Sequence, residues 1–224
     1  MIALNKRAYL TITGVTVTAL VSGYLLLLLF TDSTRLEAMG LWGIFAASLL
    51  SHATMVARDI FVPLFLALTP LYNPVILGAS AGIGGAIGDI IPYLLGLGVA
   101  ETVGDKGSKA EDLVGRWIKK YGLWAVLVVA MTPLPDLPVI MLAGTRRLSF
   151  AKLLLLEASG KTVLYSIGAF VGGWVFELLI GVVGSWVASV GMVVASILFS
   201  LALTWPPSRD WLFGILDRFI PGGV

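Results

Sequence analysis

Long apolar runs, several with isolated charges inside them, constrain this chain more than any other feature. Residues 9–30 form one run, 74–100 a second, and 150–204 hold two more. A helix needs about 20 mostly apolar residues to cross the hydrocarbon core of a bilayer. No water is present there to satisfy backbone N–H and C=O groups, so only helices or closed barrels can span. The runs are rich in Leu, Val and Ile and lack period-two alternation, which selects helices. Composition agrees with this: only 12% of residues are charged, about half the share of a soluble domain. Lys6-Arg7 ahead of an apolar stretch resembles a signal peptide. The run is long for one, however, and no small-x-small site precedes Thr31, so an uncleaved first helix is expected.

Several function classes are excluded or unsupported. The chain has no cysteine, so it has neither disulfides nor thiolate metal sites, and its single histidine rules out a multi-histidine metal centre. No basic stripe with interleaved aromatics points to nucleic acid. No cofactor motif is present, and no nucleophile arrangement supports an enzyme. An intramembrane enzyme using His52 with Asp59 is the weakest of the readings, and a scaffold for membrane biogenesis is another.

The expected fold is all-α and integral to the membrane, one membrane domain over residues 1–224 with about four full spans and two re-entrant hairpins. The first span covers residues 9–30. Residues 39–69 are apolar but interrupted by Ser51-His52 and Arg58-Asp59, with Pro63 soon after. A charged pair inside an apolar stretch is tolerated where the backbone turns within protein, so this region reads as a re-entrant hairpin. Asn73-Pro74 is a helix start and opens the second span, 74–100, whose many glycines suit close helix contact. Residues 101–120 form a polar, basic loop. Residues 121–145 read as a second re-entrant hairpin, because Pro133, Pro135 and Pro138 cannot continue a helix. Ser149 is a candidate cap for the third span, 150–176. The fourth span is 178–204, and residues 205–224 form an interfacial tail with Trp211 and Phe213 on its apolar side.

Shifting the chain by 72 residues lays Gly88, Asp89, Tyr93 and Gly96 on Gly160, Lys161, Tyr165 and Gly168, and Pro63 on Pro135. Each half is then a hairpin followed by a span, and the halves are inverted. Inverted repeats with broken helices put a transport site near the midplane. Basic residues fix the orientation. With both termini cytoplasmic, 12 of the 15 Lys and Arg residues lie on the cytoplasmic side, and only Arg35 lies outside. Arg58 and Lys161 remain at membrane depth.

The order of these pieces resembles a known family. They are Gly84-Gly85-Ala86-Ile87-Gly88-Asp89, then Tyr93 and Gly96, Lys120-Tyr121-Gly122, Thr132-Pro133-Leu134-Pro135-Asp136, Ala143-Gly144 and Phe150. Together they resemble the DedA/VTT-domain (SNARE-associated) membrane proteins, in the small YqaA-like branch, over about residues 40–175. The resemblance implies two facing re-entrant hairpins in the inner or plasma membrane. It also implies movement of phospholipid or polyprenyl phosphate between leaflets, with protons or Na+ as candidate coupling ions. Asp59 matches an acid of the family's first hairpin. The family's two second-hairpin arginines fall here on Ala130 and Asp136, so the phosphate-binding charges are rearranged, and Arg58 is a candidate replacement. A homo-oligomer is compatible with all of this.

Six charged residues fall at membrane depth: Arg58, Asp59, Asp89, Asp136, Glu157 and Lys161. Each costs about 2.5–3.5 kcal/mol at a helix centre on insertion scales, so partners must offset it. One reading is internal pairing that fixes the hairpins. Asp89 and Lys161, at equivalent positions of the repeat, invite a pair, and Glu157 shares a helix face with Lys161. The functional reading puts Arg58, Asp59 and Asp136 at the hairpin tips, around the prolines Pro133 and Pro135. There Arg58 could meet a headgroup phosphate, and the acids a cationic headgroup or a proton. His52 is either a pH-responsive group or a hydrogen-bonded core histidine. If the acids instead couple an ion or solute, the chain is a proton- or cation-coupled transporter.

Overall fold

The computed structural model describes residues 6–31, 38–103, 121–132, 136–184, 186–188, 190, 191, 194 and 198. Among these residues all regular structure is helical, in eight main helices. They are α1 (Lys6–Thr31), α2 (Leu41–Ala53), α3 (Val62–Ala67), α4 (Pro74–Gly88), α5 (Ile90–Val103), α6 (Leu123–Ala130), α7 (Leu137–Thr145) and α8 (Phe150–Val183). Among the described residues three segments are long and apolar enough to cross a membrane: Tyr9–Leu28, Pro74–Ala100 and Phe150–Val183. Their outward faces carry Leu20, Leu27, Phe170, Trp174 and other large apolar side chains in the open. The chain is therefore an integral membrane protein, with lipid as the solvent of that surface.

Backbone chemistry accounts for the breaks. Both interrupted regions are helix–break–helix segments. Each opens on a glycine in the same unusual conformation, Gly40 with φ 55 and ψ −123 before α2, and Gly122 with φ 57 and ψ −131 before α6. A residue with a Cβ is strained there, so glycine is the natural choice. Proline lies in the first two positions of α3 and α7, where its missing N–H costs nothing. Asn73 caps α4 by accepting from the Val75 N–H at 2.9 Å. The second span is interrupted between α4 and α5 at Asp89, three residues before Pro92. Proline has no N–H to give the carbonyl of residue 88, and the chain loosens at that point.

Helix α4 is the central column, with α2 on one side and α8 on the other, while α5 packs on α7 and on α1. Gly78 and Gly82 let α4 and α8 meet backbone to backbone. A Cβ on Gly82 would lie 2.5 Å from the Thr162 nitrogen. Two apolar cores result. One gathers Phe61, Phe65, Leu77 and Ala81 around α3 and α4. The other gathers Val126, Val129, Ile140 and Leu153 around α6, α7 and α8.

The end of the third span and the start of the fourth, expected at residues 176 and 178, differ from the sequence expectation. The third span does not end near residue 176. Helix α8 runs on through Glu177 to Val183 and stops at Gly184, whose φ of 82 suits glycine. No proline lies between Phe150 and Val183, and Gly172, Gly173 and Gly181 are carried within the helix. Ser149 does occupy the N-cap position of α8, but its hydroxyl makes no cap hydrogen bond. The polar loop from residue 104, the prolines Pro133 and Pro135, most of the fourth span and the tail 205–224 lie outside the described residues.

Candidate functional site

The two helix breaks and the two neighbouring spans bring their charges together. Arg58 comes from the break between α2 and α3, and Asp136 from the break between α6 and α7. Asp89 sits at the α4–α5 junction, and Glu157 and Lys161 lie one turn apart on α8. Arg58 Nη2 is 2.8 Å from Asp89 Oδ1 and 2.7 Å from Asp136 Oδ1. Lys161 Nζ is 2.6 Å from Asp89 Oδ2 and 2.6 Å from Asp136 Oδ2. Two cations and two carboxylates thus alternate in a closed ring, each cation touching both acids and each acid touching both cations.

The pair expected at the repeat-equivalent positions, Asp89 with Lys161, forms. Glu157, the third acid, reaches Lys161 only at 3.7 Å. Its side chain is fully buried, and neither oxygen has a hydrogen bond among the described residues. With all five groups ionised the cluster carries one excess negative charge. Asp89, Asp136 and Glu157 each place an oxygen within 4.8 Å of the others, the spacing of a metal site. The Lys161 ammonium already stands among these oxygens, so a metal ion would have to displace it.

The ring has a closed floor and an open edge. Lys161 is 2% exposed and Asp89 not at all, whereas the Arg58 and Asp136 side chains are each 14% exposed. Local chemistry holds the edge in place. The Ser51 hydroxyl, at the end of α2, donates to the carbonyls of Ala57 (2.7 Å) and Arg58. Thr54 Oγ1 accepts from the Ala57 N–H at 2.9 Å. Together these pin the loop that presents Arg58. Asp136 occupies the N-cap position of α7 but makes no cap hydrogen bond: its backbone is helical, φ −83 and ψ −20, and its carboxylate is turned to the two cations.

Not every candidate joins the ring. Asp59 follows Arg58 in the loop and is half-buried, but the ring's acids are Asp89 and Asp136. His52 is buried behind α4, its ring against the position where a Cβ on Gly85 would stand. Its Nδ1 lies 2.9 Å from the Ser48 carbonyl and must donate to it, so Nε2 accepts from the Tyr165 hydroxyl at 3.1 Å. Both nitrogens are thereby engaged within the fold. Sequence reasoning missed Ser51 and Tyr165. Tyr165 was visible as a member of the repeat, but its partner was not.

The halves also pack alike around the ring. A Cβ on Gly88 would strike the Leu49 carbonyl and His52 at the end of α2. One on Gly160 would strike Ala130 and the Leu127 carbonyl at the end of α6. The residue preceding each span's ring charge therefore lies against the last turn of an earlier helix, Gly88 against α2 and Gly160 against α6.

The VTT domain family model matches residues 59–173, just over half of the chain. A relative from Escherichia coli (strain K12), described as inner membrane protein YqaA, is 27% identical over 129 residues, covering 58% of this chain and 88% of its own. Its counterpart in Shigella flexneri matches to the same extent. No solved structure matches.

Proposed function

The chain belongs to the VTT-domain family of membrane proteins, and from that premise we propose that it moves lipid headgroups between leaflets past the charged ring. The observation that carries this reading is the ring itself. Paired charges meet where two broken helical segments face each other, and their one open edge holds an arginine and an aspartate. A headgroup crossing a bilayer needs such a polar path while its acyl tails stay in oil, and the apolar outer faces of α1 and α8 suit the tails. Arg58 would take a phosphate oxygen, and Asp136 the ammonium of a zwitterionic headgroup. Phospholipid and polyprenyl phosphate both fit this chemistry. The proposed setting is the inner membrane, as for the Escherichia coli relative. Both termini would be cytoplasmic, and the two interrupted segments would enter as inverted re-entrant hairpins. The shared Gly40 and Gly122 conformations and the matching Gly88 and Gly160 packing support that symmetry. No bond is made or broken, so the activity is transport and not catalysis.

Proteoliposomes with fluorescent phospholipid or polyprenyl phosphate in one leaflet test the reading. Purified protein should accelerate exchange, and Arg58→Gln should slow it by about tenfold or more, as expected when a charge-assisted contact of about 1.5–3 kcal/mol is lost. No movement of either lipid by wild-type protein would reject it.

A second reading, a proton- or cation-coupled transporter of an ion or small solute, is favoured by Glu157. A third carboxyl against two cations, buried and without a hydrogen bond among the described residues, is a place for a proton or Na+. Ion-dependent solute uptake without lipid movement would favour it.

A further inference from the structure

We propose that Asp136 is a built-in anion occupying a phosphate site formed by Arg58 and Lys161, and that the site opens when this carboxylate swings away. This deepens the translocation reading and rests on it for its biological meaning, but the site can be tested by binding alone.

Asp136 spans the two cations as a bound oxyanion would, one oxygen 2.7 Å from Arg58 Nη2 and the other 2.6 Å from Lys161 Nζ. A carboxylate fills this site incompletely. Arg58 Nη1 is buried and has no hydrogen bond among the described residues, so the guanidinium offers an edge that one carboxylate oxygen does not use. A phosphate, with more oxygens in a tetrahedral array, can take Nη1 and Nη2 together and still reach the ammonium. Asp89 would stay below as the fixed counter-ion, since it is fully buried and touches both cations from the other side.

Asp136 also has somewhere else to go. It is the N-cap residue of α7 and is partly exposed, yet makes no cap hydrogen bond. An N-cap carboxylate ordinarily accepts from the second or third helical N–H. The second residue here is Pro138, which has none, leaving the Val139 N–H as the donor. Asp136 has a helical backbone, φ −83 and ψ −20, whereas capping takes an extended one, so the side chain has two resting places that differ by a rotation of the backbone at Asp136: across the cations, or on its own helix. In the second the cations are open at the exposed edge of the ring. Displacement exchanges one anion for another without leaving a buried charge unpaired, which is the expensive alternative.

The test uses the full chain in a phosphate-free maltoside detergent, titrated with inorganic phosphate and separately with dihexanoyl phosphatidic acid. A competitor that leaves the site free about one to ten percent of the time weakens apparent affinity about ten- to a hundredfold. Asp136→Asn should therefore bind about ten- to a hundredfold more tightly than wild type, and adding Arg58→Gln should abolish the gain. Glu157→Gln removes an acid from the same cluster but leaves the bridge in place, so it should give no comparable gain. A gain for both ligands supports a site that takes free phosphate and headgroup alike, and a gain for the lipid alone supports a headgroup site. No gain in Asp136→Asn, or an equal gain in Glu157→Gln, overturns the proposal.

If Asp136→Asn does not fold, Asp136→Ser takes its place with the same expected sign. If neither folds, wild type decides. A rise in Tm with either ligand at on the order of 100 mM, absent in Arg58→Gln, supports the site, and no rise overturns it. Anion binding with these signs in a protein that moves no lipid would reject translocation and leave the site standing.

Discussion

At the scale of single residues the ring is a set of mutual obligations. Asp89 is fully buried and is held by Arg58 and Lys161 together. Lys161→Met should remove one of its two partners and cost about 3–5 kcal/mol, the usual penalty for breaking a buried pair. Glu157→Gln should cost far less, because neither Glu157 oxygen accepts a hydrogen bond among the described residues. Denaturant unfolding in detergent micelles measures both, and the difference between the variants is the quantity of interest. The sequence made some of this legible. The Asp89–Lys161 pair follows from a sequence match at a 72-residue shift, and the nearness of Glu157 from its four-residue spacing. The choice between Arg58, Asp59 and their partners did not follow. Two neighbours in a loop point different ways according to how the loop is pinned, and the pinning comes from Ser51, a residue with no sequence signature.

Between elements, glycine decides how close the helices come. Gly82→Leu should force α4 away from α8, since even a Cβ there would lie 2.5 Å from the Thr162 nitrogen. Separating these helices pulls Asp89 from Lys161, so loss of a monodisperse folded species in size-exclusion chromatography is expected. Gly168→Ala is the contrast. Nothing lies within 4 Å of its Cβ position, and alanine favours a helix by about 1 kcal/mol over glycine, so Tm should hold or rise. In sequence both are glycines inside apolar spans, and only packing tells them apart. Packing also gives Ala130 a reason. It is 2% exposed and faces Gly160, so the arginine that the family resemblance would put there has no room. The ring's cations come instead from Arg58 and Lys161. Helix identities and both breaks were readable from apolar runs and prolines. The end of α8 was not, because Gly172, Gly173 and Gly181 carry the same stop signal in sequence as Gly184.

For the whole molecule, the length of α8 has a consequence for the surrounding membrane. Its 34 residues extend about 51 Å at 1.5 Å per residue, against a hydrocarbon core of about 30 Å. Lying wholly within that core would take a tilt of about 54°, beyond the usual range of up to about 40°. Part of the helix must therefore project, or the bilayer must thicken around it. Lys161 comes eleven residues after Phe150, about 16 Å along the axis, which is half the core if Phe150 stands at the interface. Hydrophobic mismatch would then tune the depth of the ring. Vesicles of short-chain lipid would draw the two leaflets toward the ring, and long-chain lipid would bury it further from both. Exchange measured across a series of acyl-chain lengths should fall steadily as the chains lengthen. A flat response would mean that the protein fixes its own local thickness.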